Sequence, residues 1–563
     1  MKVIIVGGVA GGATAAARIR RLDEHAEITV FERSGYISYA NCGLPYYIGD
    51  VITDPEELTL QTPESFFKRF RINMKIHHEV ISIHPDRKIV SVKNLENDEI
   101  FEENYDKLIL SPGAKPTQPR LSGVGIDKLF TLRTVEDTFR IKEYINKNHP
   151  KSAVLAGGGF IGLELAENLR ELGMDVTIVQ RPKQLMNPFD PDMASMIHNE
   201  MRKHGIKLVL GYTVEGFKEK DNGVEFLLKD NPSLQADMVV LAIGVTPDTV
   251  LAKEAGLELG IKESIVVNDR METSVPDIYA AGDAVQVKHY VTGNEALISL
   301  AGPANKQGRI IADNICGGDS RYLGSQGSSV IKVFDMTAAT TGINETNAKK
   351  SGLEVDTVIL SPMSHAGYYP GGKVMTMKVI FEKESYRLLG AQIIGYEGVD
   401  KRIDVLATAI HAGLNATQLK DLDLAYAPPY SSAKDPVNMA GFMIDNIAKG
   451  TLKQWHLEDM DKISKDKDVV LLDVRTVGEF SRGHIDGFKN IPVDELRERI
   501  SEIEKGKPVY LICQSGLRSY IASRILEGNG YETYNFSGGF RFYDAVVNDR
   551  ALIERAYACG MDY

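Results

Sequence analysis

The sequence is poor in cysteine and has no long apolar run. Its 563 residues include only 4 cysteines, and no two of them form a C-x-x-C pair. This excludes a disulfide-stapled chain, a zinc ribbon and a thioredoxin-type dithiol, and it predicts a reducing, cytoplasmic environment. No apolar stretch approaches the ~18 residues that a membrane span needs. We therefore expect neither a bound metal nor a membrane partner.

An excess of positive charge is also missing. The chain has 65 Lys and Arg against 77 Asp and Glu, which gives a net charge of −12. This balance argues against nucleic-acid binding and against a polybasic membrane anchor. With 43% apolar and 25% charged residues, the composition is that of a globular protein with ample core. At roughly 150 residues per domain, the length suggests about four domains.

A glycine loop follows the first strand-like segment, residues 2–6 (KVIIV). Its backbone N–H groups, at the start of a helical segment, are suited to holding a pyrophosphate. A second apolar run ends at Glu32, 20 residues after Gly12, where a carboxylate should meet ribose hydroxyls. Val9 occupies the middle glycine position of the G-x-G-x-x-G pattern. The loop consists of Gly7, Gly8, Val9, Ala10, Gly11 and Gly12.

A second loop repeats this pattern in full between the apolar runs Ala153–Leu155 and Val176–Val179. Its expected ribose position holds Gln180, followed by Arg181, instead of an acid. A neutral Gln repels a 2′-phosphate less than a carboxylate does, and the arginine either pairs with that phosphate or is a solvated loop residue. NADH and NADPH thus remain open. The loop residues are Gly157, Gly158, Gly159, Phe160, Ile161 and Gly162.

A third motif lies at Thr273–Asp283 (TSVPDIYAAGD). Together with the two loops, it resembles the flavoprotein disulfide reductases that bind two dinucleotides. The resemblance covers residues 1–450 and implies that Asp283 holds the ribityl chain of FAD. It places FAD on the first glycine loop and NAD(P)H on the second.

The predicted fold class is α/β. It comprises two Rossmann-like dinucleotide-binding domains, an α+β dimerisation domain and a C-terminal α/β domain. We expect a discontinuous FAD-binding domain at 1–112 and 244–325, an NAD(P)H-binding domain at 113–243, a dimerisation domain at 326–450 and the last domain at 455–563.

Cys42 lies in the segment Ser38–Tyr46 (SYANCGLPY), just beyond the run that ends at Glu32. A lone cysteine is commonly a buried structural residue, but this one has the neighbours of a loop. A thiolate near a flavin can attack a disulfide and then accept electrons. Because no second cysteine is near in sequence, Cys42 must form its disulfide with the substrate or cycle through a sulfenate.

The S-x-x-N-C-x-x-P-Y arrangement resembles the single-cysteine branch of these reductases. That branch contains coenzyme A-disulfide and coenzyme A-persulfide reductases and the related NADH oxidases and peroxidases. The oxidases usually carry a histidine where this chain has Ala10. The coenzyme A enzymes use two tyrosines from the partner subunit, and by motif these are Tyr368 and Tyr426. The resemblance thus implies a homodimer. For the neighbouring Tyr369 and Tyr430, the alternative to a role in the site is simple packing at the dimer interface.

The same resemblance implies a locally basic coenzyme A site, since coenzyme A carries a 3′-phosphate and a pyrophosphate. Two basic clusters, residues 18–21 and 68–71, are candidates, although such runs are usually solvated surface. The implied coenzyme A contacts are Thr14, Arg18, Arg21, Ser38, Asn41, Arg71, Asn305 and Lys434.

The C-terminal segment Cys513–Ser519 (CQSGLRS) follows the apolar run Val509–Ile512 and precedes a helix that starts near Ser519. Loop N–H groups and the helix dipole should stabilise a thiolate or persulfide there. With residues 472–475 (LDVR) and 483–485 (GHI), this segment resembles a rhodanese domain. The resemblance makes Cys513 the sulfur carrier, with Arg518 closing the loop. Cys316 and Cys559 carry no motif.

These features predict an NAD(P)H- and FAD-dependent reductase of coenzyme A disulfide, coenzyme A persulfide or polysulfide. It would act through a Cys42–S–S–CoA mixed disulfide, and the rhodanese domain would deliver sulfane sulfur. The alternative on the same scaffold is an NAD(P)H oxidase or peroxidase that works through a Cys42 sulfenate. A non-catalytic redox sensor or sulfur-relay adaptor is a third possibility, which the retained loops and cysteines disfavour.

Overall fold

The computed structural model describes residues 1–117, 119, 121–220 and 223–558, the last three as helix backbone only. Cys559 lies outside these residues. The chain divides into two compact units, which are treated separately below: residues 1–183 with 205–327, and residues 184–204 with 328–563. In the described ranges, no helix combines the length and apolarity that crossing a bilayer requires.

The first unit begins with a parallel five-stranded sheet. Its central strands are apolar and buried, as expected for a parallel sheet covered on both faces. The chain leaves this sheet and returns late with Ile278–Ala280, as a discontinuous domain requires. In spatial order the strands are Ile278–Ala280, Lys107–Leu110, Lys2–Val6, Glu27–Phe31 and Asn73–Lys75. An antiparallel sheet follows, with strands His78–His84, Ile89–Asn94 and Ile100–Asn104.

A second parallel five-stranded sheet carries the second glycine loop. Its strands in spatial order are Leu129–Thr131, Met238–Leu241, Ser152–Ala156, Asp175–Gln180 and Lys207–Leu210. Beside it is an antiparallel sheet of Val214–Lys220, Gly223–Leu228 and Leu234–Ala236. Three short ladders pair Ile37–Tyr39 with Thr59–Gln61, Ala114–Pro116 with Val245–Pro247, and Val287–Lys288 with Glu295–Ala296.

Two helices of the first unit start at the glycine loops, and we refer to them as the first-loop helix (Ala10–Leu22) and the second-loop helix (Phe160–Glu171). Each begins where its parallel sheet ends, so the helix N-terminus faces the carboxyl edge of the sheet, where dinucleotides bind in such folds. The other helices of this unit are Leu44–Ile48, Pro63–Phe70, Val135–Asn148, Val250–Glu254 and Ala301–Ile315.

The second unit begins with an antiparallel sheet in the order Ser329–Val333, Met336–Gly342, Leu388–Gly395, Met375–Glu382 and Val355–Leu360. Lys378 is 1% exposed, and its ammonium lies 2.8 Å from Asp192 and 2.7 Å from Glu345. A buried charge needs such partners. The segment 184–204, within the range predicted for NAD(P)H binding, therefore packs in this unit. The helices here are Pro191–Lys203, Glu345–Lys350, Val399–His411 and Pro436–Ala448.

The C-terminal part of the second unit contains a parallel sheet in the order Gln454–Trp455, Thr533–Phe536, Val509–Ile512, Val470–Asp473 and Lys489–Asn490. Its helices are Met460–Ile463, Val477–Arg482, Leu517–Glu527 and Gly539–Ala558. The helix after Cys513 begins at Leu517, slightly before the predicted start near Ser519, because Gly516, with φ +99°, ends the loop. Ser519 therefore lies in the first turn of this helix, which we call the sulfur-loop helix.

Candidate functional site

Glu32, the predicted ribose-binding residue, lies against the first glycine loop. The Glu32 carboxylate accepts hydrogen bonds from the N–H groups of Gly8 and Ser34, both at 2.9 Å. A Cβ at Gly12 would lie 1.9 Å from the Gly7 carbonyl oxygen, so any side chain there would push the helix off the loop. The close backbone approach and the placed carboxylate fit a dinucleotide such as FAD.

Asp283 lies at the carboxyl edge of the first sheet, immediately after Ile278–Ala280. Its carboxylate accepts a hydrogen bond from the Arg133 guanidinium at 2.7 Å. The preceding N–H, of Gly282, donates to Gln307 at 2.8 Å. Side chains from two separate segments thus hold the GD turn, and Asp283 has an oxygen placed at the edge where a flavin ribityl chain would be held.

The second loop is built in the same way, with a neutral residue in place of the acid. Gln180 Oε1 accepts a hydrogen bond from the Gly158 N–H at 3.0 Å, the contact that Glu32 makes in the first loop. A Cβ at Gly159 would meet no protein atom within 4 Å. The space in front of this glycine is therefore open to a bound pyrophosphate. Arg181 is exposed and makes no ion pair within the described ranges, so both nicotinamide cofactors remain compatible with the site.

Cys42 lies in a 3₁₀ turn, Asn41–Gly43, after the short strand Ile37–Tyr39. Desolvation by the surrounding protein, followed by the negative charge of Glu164, raises the pKa of the Cys42 thiol, while Arg133 acts in the opposite direction. The residues of this unit therefore favour the thiol over the thiolate. A hydrogen-bond donor or a positive charge beside the Cys42 sulfur would shift this balance towards the thiolate.

Glu164, on the second-loop helix, was missed by the sequence analysis. It receives a long hydrogen bond, 3.4 Å, from the Tyr46 hydroxyl, which belongs to the Cys42 segment. Burial raises the pKa of Glu164 to about 7, and the nearby Glu167 adds to this shift. The available signal was an acid within the otherwise apolar run Phe160–Ala166 (FIGLELA), because a carboxylate on a buried helix face is costly without a role.

We expect Glu164→Gln to make Cys42 more reactive above pH 7. In that range Glu164 is ionised in the wild type, and its charge opposes the thiolate. The substitution removes that charge, so the pKa of the Cys42 thiol falls and its alkylation rate rises by about threefold or more. The measurement is the pH dependence of iodoacetamide labelling of Cys42, followed by mass spectrometry. Glu171→Gln, at the exposed end of the same helix, is the matched control, and an identical profile in both variants would refute the coupling.

Tyr368 and Tyr426 come together in the second unit. Their hydroxyls are 2.6 Å apart, and the side chains are 75% and 45% exposed. The hydrogen bond between the two hydroxyls raises the pKa of Tyr426. Buried Arg402 holds the two loops by donating to the carbonyls of Ser364 and Tyr430 at 3.0 and 3.3 Å. Sequence reasoning missed Arg402, whose helix carries no site motif.

The predicted coenzyme A contacts form several groups. Thr14 donates to Asn305 at 2.6 Å, which joins the first-loop helix to Ala301–Ile315. Arg18 pairs with Asp313 at 2.8 Å. Arg21, Ser38, Asn41 and Arg71 also belong to the first unit, whereas Lys434 belongs to the second. Arg20, in the same basic cluster, is buried and, within the described residues, donates only to backbone carbonyls, which gives it a structural role.

In the C-terminal sheet, Cys513 is 1% exposed and accepts two hydrogen bonds at its sulfur. The donors are Gly516 N–H at 3.1 Å and Ser519 Oγ at 3.2 Å. Arg518 makes a two-pronged ion pair with Glu479, with both distances 2.7 Å. This pair lowers the pKa of Glu479 to about 2 and ties the loop to the helix Val477–Arg482. Ser519 and Glu479 were not singled out in the sequence.

Sequence-family comparison matches these elements to known proteins. Residues 1–308 match the profile described as pyridine nucleotide-disulphide oxidoreductase. The chain belongs to this oxidoreductase family. Residues 328–436 match the dimerisation domain of the same family, and residues 456–545 match a rhodanese-like domain. The protein is therefore a flavin- and NAD(P)H-dependent oxidoreductase that carries a rhodanese domain.

Several known proteins are similar to most or nearly all of this chain. A coenzyme A disulfide reductase of Staphylococcus aureus (strain JH9) is 38% identical over 442 residues, which is 78% of this chain and 99% of the relative. The crystal structure of reduced Bacillus anthracis CoADR-RHD superposes with a TM-score of 0.95 at 48% identity, covering 98% of both chains. An NAD-dependent persulfide reductase from A. fulgidus gives 0.90 at 38% identity, covering 96% of this oxidoreductase and 100% of the other chain.

A water-forming NADH oxidase from Lactobacillus brevis is also similar, with a TM-score of 0.77 at 30% identity. The superposition covers 80% of this chain and 99% of the oxidase chain. The fold of the oxidoreductase part is therefore shared by reductases and oxidases. This shared fold does not by itself distinguish reductase from oxidase activity.

Proposed function

We propose that this oxidoreductase reduces coenzyme A disulfide, coenzyme A persulfide or polysulfide through a Cys42–S–S–CoA mixed disulfide. The observation that carries the proposal is the exposed, hydrogen-bonded pair Tyr368–Tyr426. A pair of phenols held at a surface offers protons to a sulfur supplied by another chain. The names of the Staphylococcus and A. fulgidus relatives support the same substrate class.

In the proposed reaction, the Cys42 thiolate attacks a sulfur of the substrate. With coenzyme A disulfide, the S–S bond breaks, one coenzyme A thiol leaves with a proton, and the other half stays on Cys42. With coenzyme A persulfide, the leaving group is hydrosulfide. The flavin, when bound, would supply electrons from NAD(P)H for reduction of the mixed disulfide at Cys42. This releases coenzyme A thiol and restores the Cys42 thiolate.

The tyrosine pair would counter the raised pKa of the Cys42 thiol. Because the first unit raises the pKa of the Cys42 thiol, a hydrogen-bond donor at the sulfur would favour the thiolate. We place the partner subunit's Tyr368 and the partner subunit's Tyr426 in that role, which makes the active unit a homodimer with two shared sites. Thr14, Arg18, Arg21, Ser38, Asn41, Arg71, Asn305 and Lys434 would bind the rest of coenzyme A.

The rhodanese domain would supply the sulfane sulfur. Cys513 would take sulfur as a persulfide, held in the loop that Arg518 ties down, and pass it to coenzyme A thiol. Coenzyme A persulfide would then be the substrate at Cys42. NAD(P)H would contact Gly157, Gly159, Phe160, Ile161 and Gly162, with its adenosine ribose at Gln180 and Arg181. The scarcity of cysteine continues to favour a cytoplasmic location.

The shared site predicts complementation between two inactive subunits. We expect Cys42→Ser and the double variant Tyr368→Phe/Tyr426→Phe each to lose coenzyme A disulfide reduction. A heterodimer of the two retains one site with an intact cysteine and both tyrosines, and it should recover up to about half of the wild-type rate, because one of two sites works. The measurement is NAD(P)H oxidation by heterodimers purified with two different tags.

The same mixture tests the oxidase alternative. A Cys42 sulfenate would need no tyrosine from the partner, so the tyrosine double variant alone would keep its activity with peroxide or oxygen. Absence of recovery in verified heterodimers would contradict the shared site. Mixing Cys42→Ser with Tyr430→Phe, another exposed tyrosine of the same loop, is the control for subunit exchange.

A further inference from the structure

Ser519 places a hydroxyl directly on the sulfur of Cys513. Both residues are closed off from solvent, at 0% and 1% exposure. Ser519 Oγ lies 3.2 Å from Cys513 Sγ and 3.1 Å from the Gly516 carbonyl oxygen. A hydroxyl has one proton, so it donates to only one of these acceptors at a time.

The charge on the sulfur decides which acceptor receives that proton. A thiolate accepts a stronger hydrogen bond than a neutral sulfur does, because charge-assisted hydrogen bonds are roughly twice as strong as neutral ones. When Sγ is a thiolate, Ser519 therefore donates to it. When Sγ is bonded to a second sulfur and neutral, the hydroxyl can return to the Gly516 carbonyl one turn back, as serines commonly do in helices.

The rest of the loop leaves both the Cys513 sulfur and the Gly516 carbonyl within reach of the Ser519 hydroxyl. Gly516 N–H points at the sulfur at 3.1 Å, while its carbonyl also accepts from the buried Asn535 side chain at 3.2 Å. Arg518 is the basic residue of the motif, and its guanidinium donates hydrogen bonds to both carboxylate oxygens of Glu479. Hydrogen bonds from Gly516 and Ser519 thus remain to stabilise a negative sulfur in this buried position.

We propose that Ser519 is a catalytic residue of the sulfur-transfer step, donating its proton in a hydrogen bond to Cys513 Sγ as that sulfur leaves. This inference rests on the proposed transfer of sulfane sulfur from Cys513 to a thiol. In the step, the acceptor thiolate forms a bond to the outer sulfur and the Sγ–S bond breaks. Its electron pair stays on Cys513 Sγ, and the outer sulfur keeps its proton in the product persulfide. No external oxidant or reductant is needed.

The test uses the full-length holoenzyme with Cys513 loaded from thiosulfate and then mixed with coenzyme A thiol in a single turnover. Ser519→Ala should slow transfer by about tenfold to a hundredfold, the range for losing a hydrogen bond to a charged group. It should also move the pH profile of loading towards higher pH, since loading requires the thiolate. Ser519→Thr, which keeps a hydroxyl, should recover most of the rate.

Ser523→Ala is the matched control. Ser523 lies one turn further along the same helix, is 2% exposed and donates to the Tyr520 carbonyl at 2.7 Å, without contacting the sulfur. It should leave both the transfer rate and the loading profile unchanged. The single tryptophan of the chain, Trp455, is 2% exposed in this sheet, so its fluorescence reports whether each variant keeps the domain folded.

The outcomes separate this inference from the proposed function. If the wild type loads Cys513 but transfers no sulfur to coenzyme A, the proposed relay fails. If the wild type transfers sulfur and Ser519→Ala matches Ser523→Ala in rate and pH profile, the role of Ser519 is refuted. If Ser519→Ala unfolds the domain, the comparison passes to Ser519→Thr, whose wild-type pH profile supports the hydroxyl and whose shifted profile overturns it.

Discussion

Cys42→Ser is expected to abolish NAD(P)H-driven reduction of coenzyme A persulfide while FAD stays bound. A serine hydroxyl cannot replace the thiolate that attacks the substrate, and losing such a nucleophile ordinarily costs orders of magnitude in rate. The residues that fit the flavin, such as Glu32 and Asp283, do not depend on the sulfur for their contacts with Gly8 and Arg133. The measurement combines flavin absorbance with NAD(P)H oxidation in the presence of coenzyme A persulfide.

Cys316→Ser provides the control for this experiment. Cys316 is a half-buried cysteine at the end of the helix Ala301–Ile315 and carries no motif. We expect it to retain the wild-type rate, so the loss is specific to position 42. Retention of more than about a tenth of the rate by Cys42→Ser would rule out the nucleophile assignment, given the size of the loss expected for a nucleophile.

Cys513→Ser is expected to remove sulfur transfer from thiosulfate or polysulfide and to spare the reduction of preformed coenzyme A disulfide. The two cysteines belong to different units and different chemical settings: Cys513 is buried and its sulfur accepts two hydrogen bonds, whereas Cys42 is exposed. Each should therefore perform a separate step of one sulfur path. The measurement is to assay both half-reactions in the same preparation, again with Cys316→Ser as the control.

The variant Arg518→Ala provides a second test of the sulfur-transfer step. Because Arg518 ties the loop to Glu479 through two 2.7 Å hydrogen bonds, its loss should weaken sulfur transfer without changing the flavin spectrum. If coenzyme A disulfide reduction collapses together with sulfur transfer in Cys513→Ser, the two-step relay is wrong. Cys513 would then belong to the reductive site itself.

Much of the fold could be predicted because its signals are local. The strand Val509–Ile512 has the same bounds in sequence and structure, and Glu32 contacts the glycine loop that its spacing indicated. A glycine loop between a strand and a helix is a backbone requirement, so residues within about thirty positions encode it. The Cys513 motif likewise specifies a loop that ends at a helix. The observed helix begins at Leu517, whereas the sequence predicted a start near Ser519.

By itself, the sequence determined the order of the family domains and the two glycine loops, and it led to the predicted roles of Cys42 and Cys513. Only the tertiary structure decided what surrounds them. Tyr46 and Glu164 are far apart in the chain and meet because their helices pack, which produces a carboxyl group with a pKa of about 7 in the neighbourhood of Cys42. The contacts of Arg402 and Ser519 also depend on which groups share a buried space. Burial and distance set the strength of a charge or a hydrogen bond, and neither can be read from spacing along the chain.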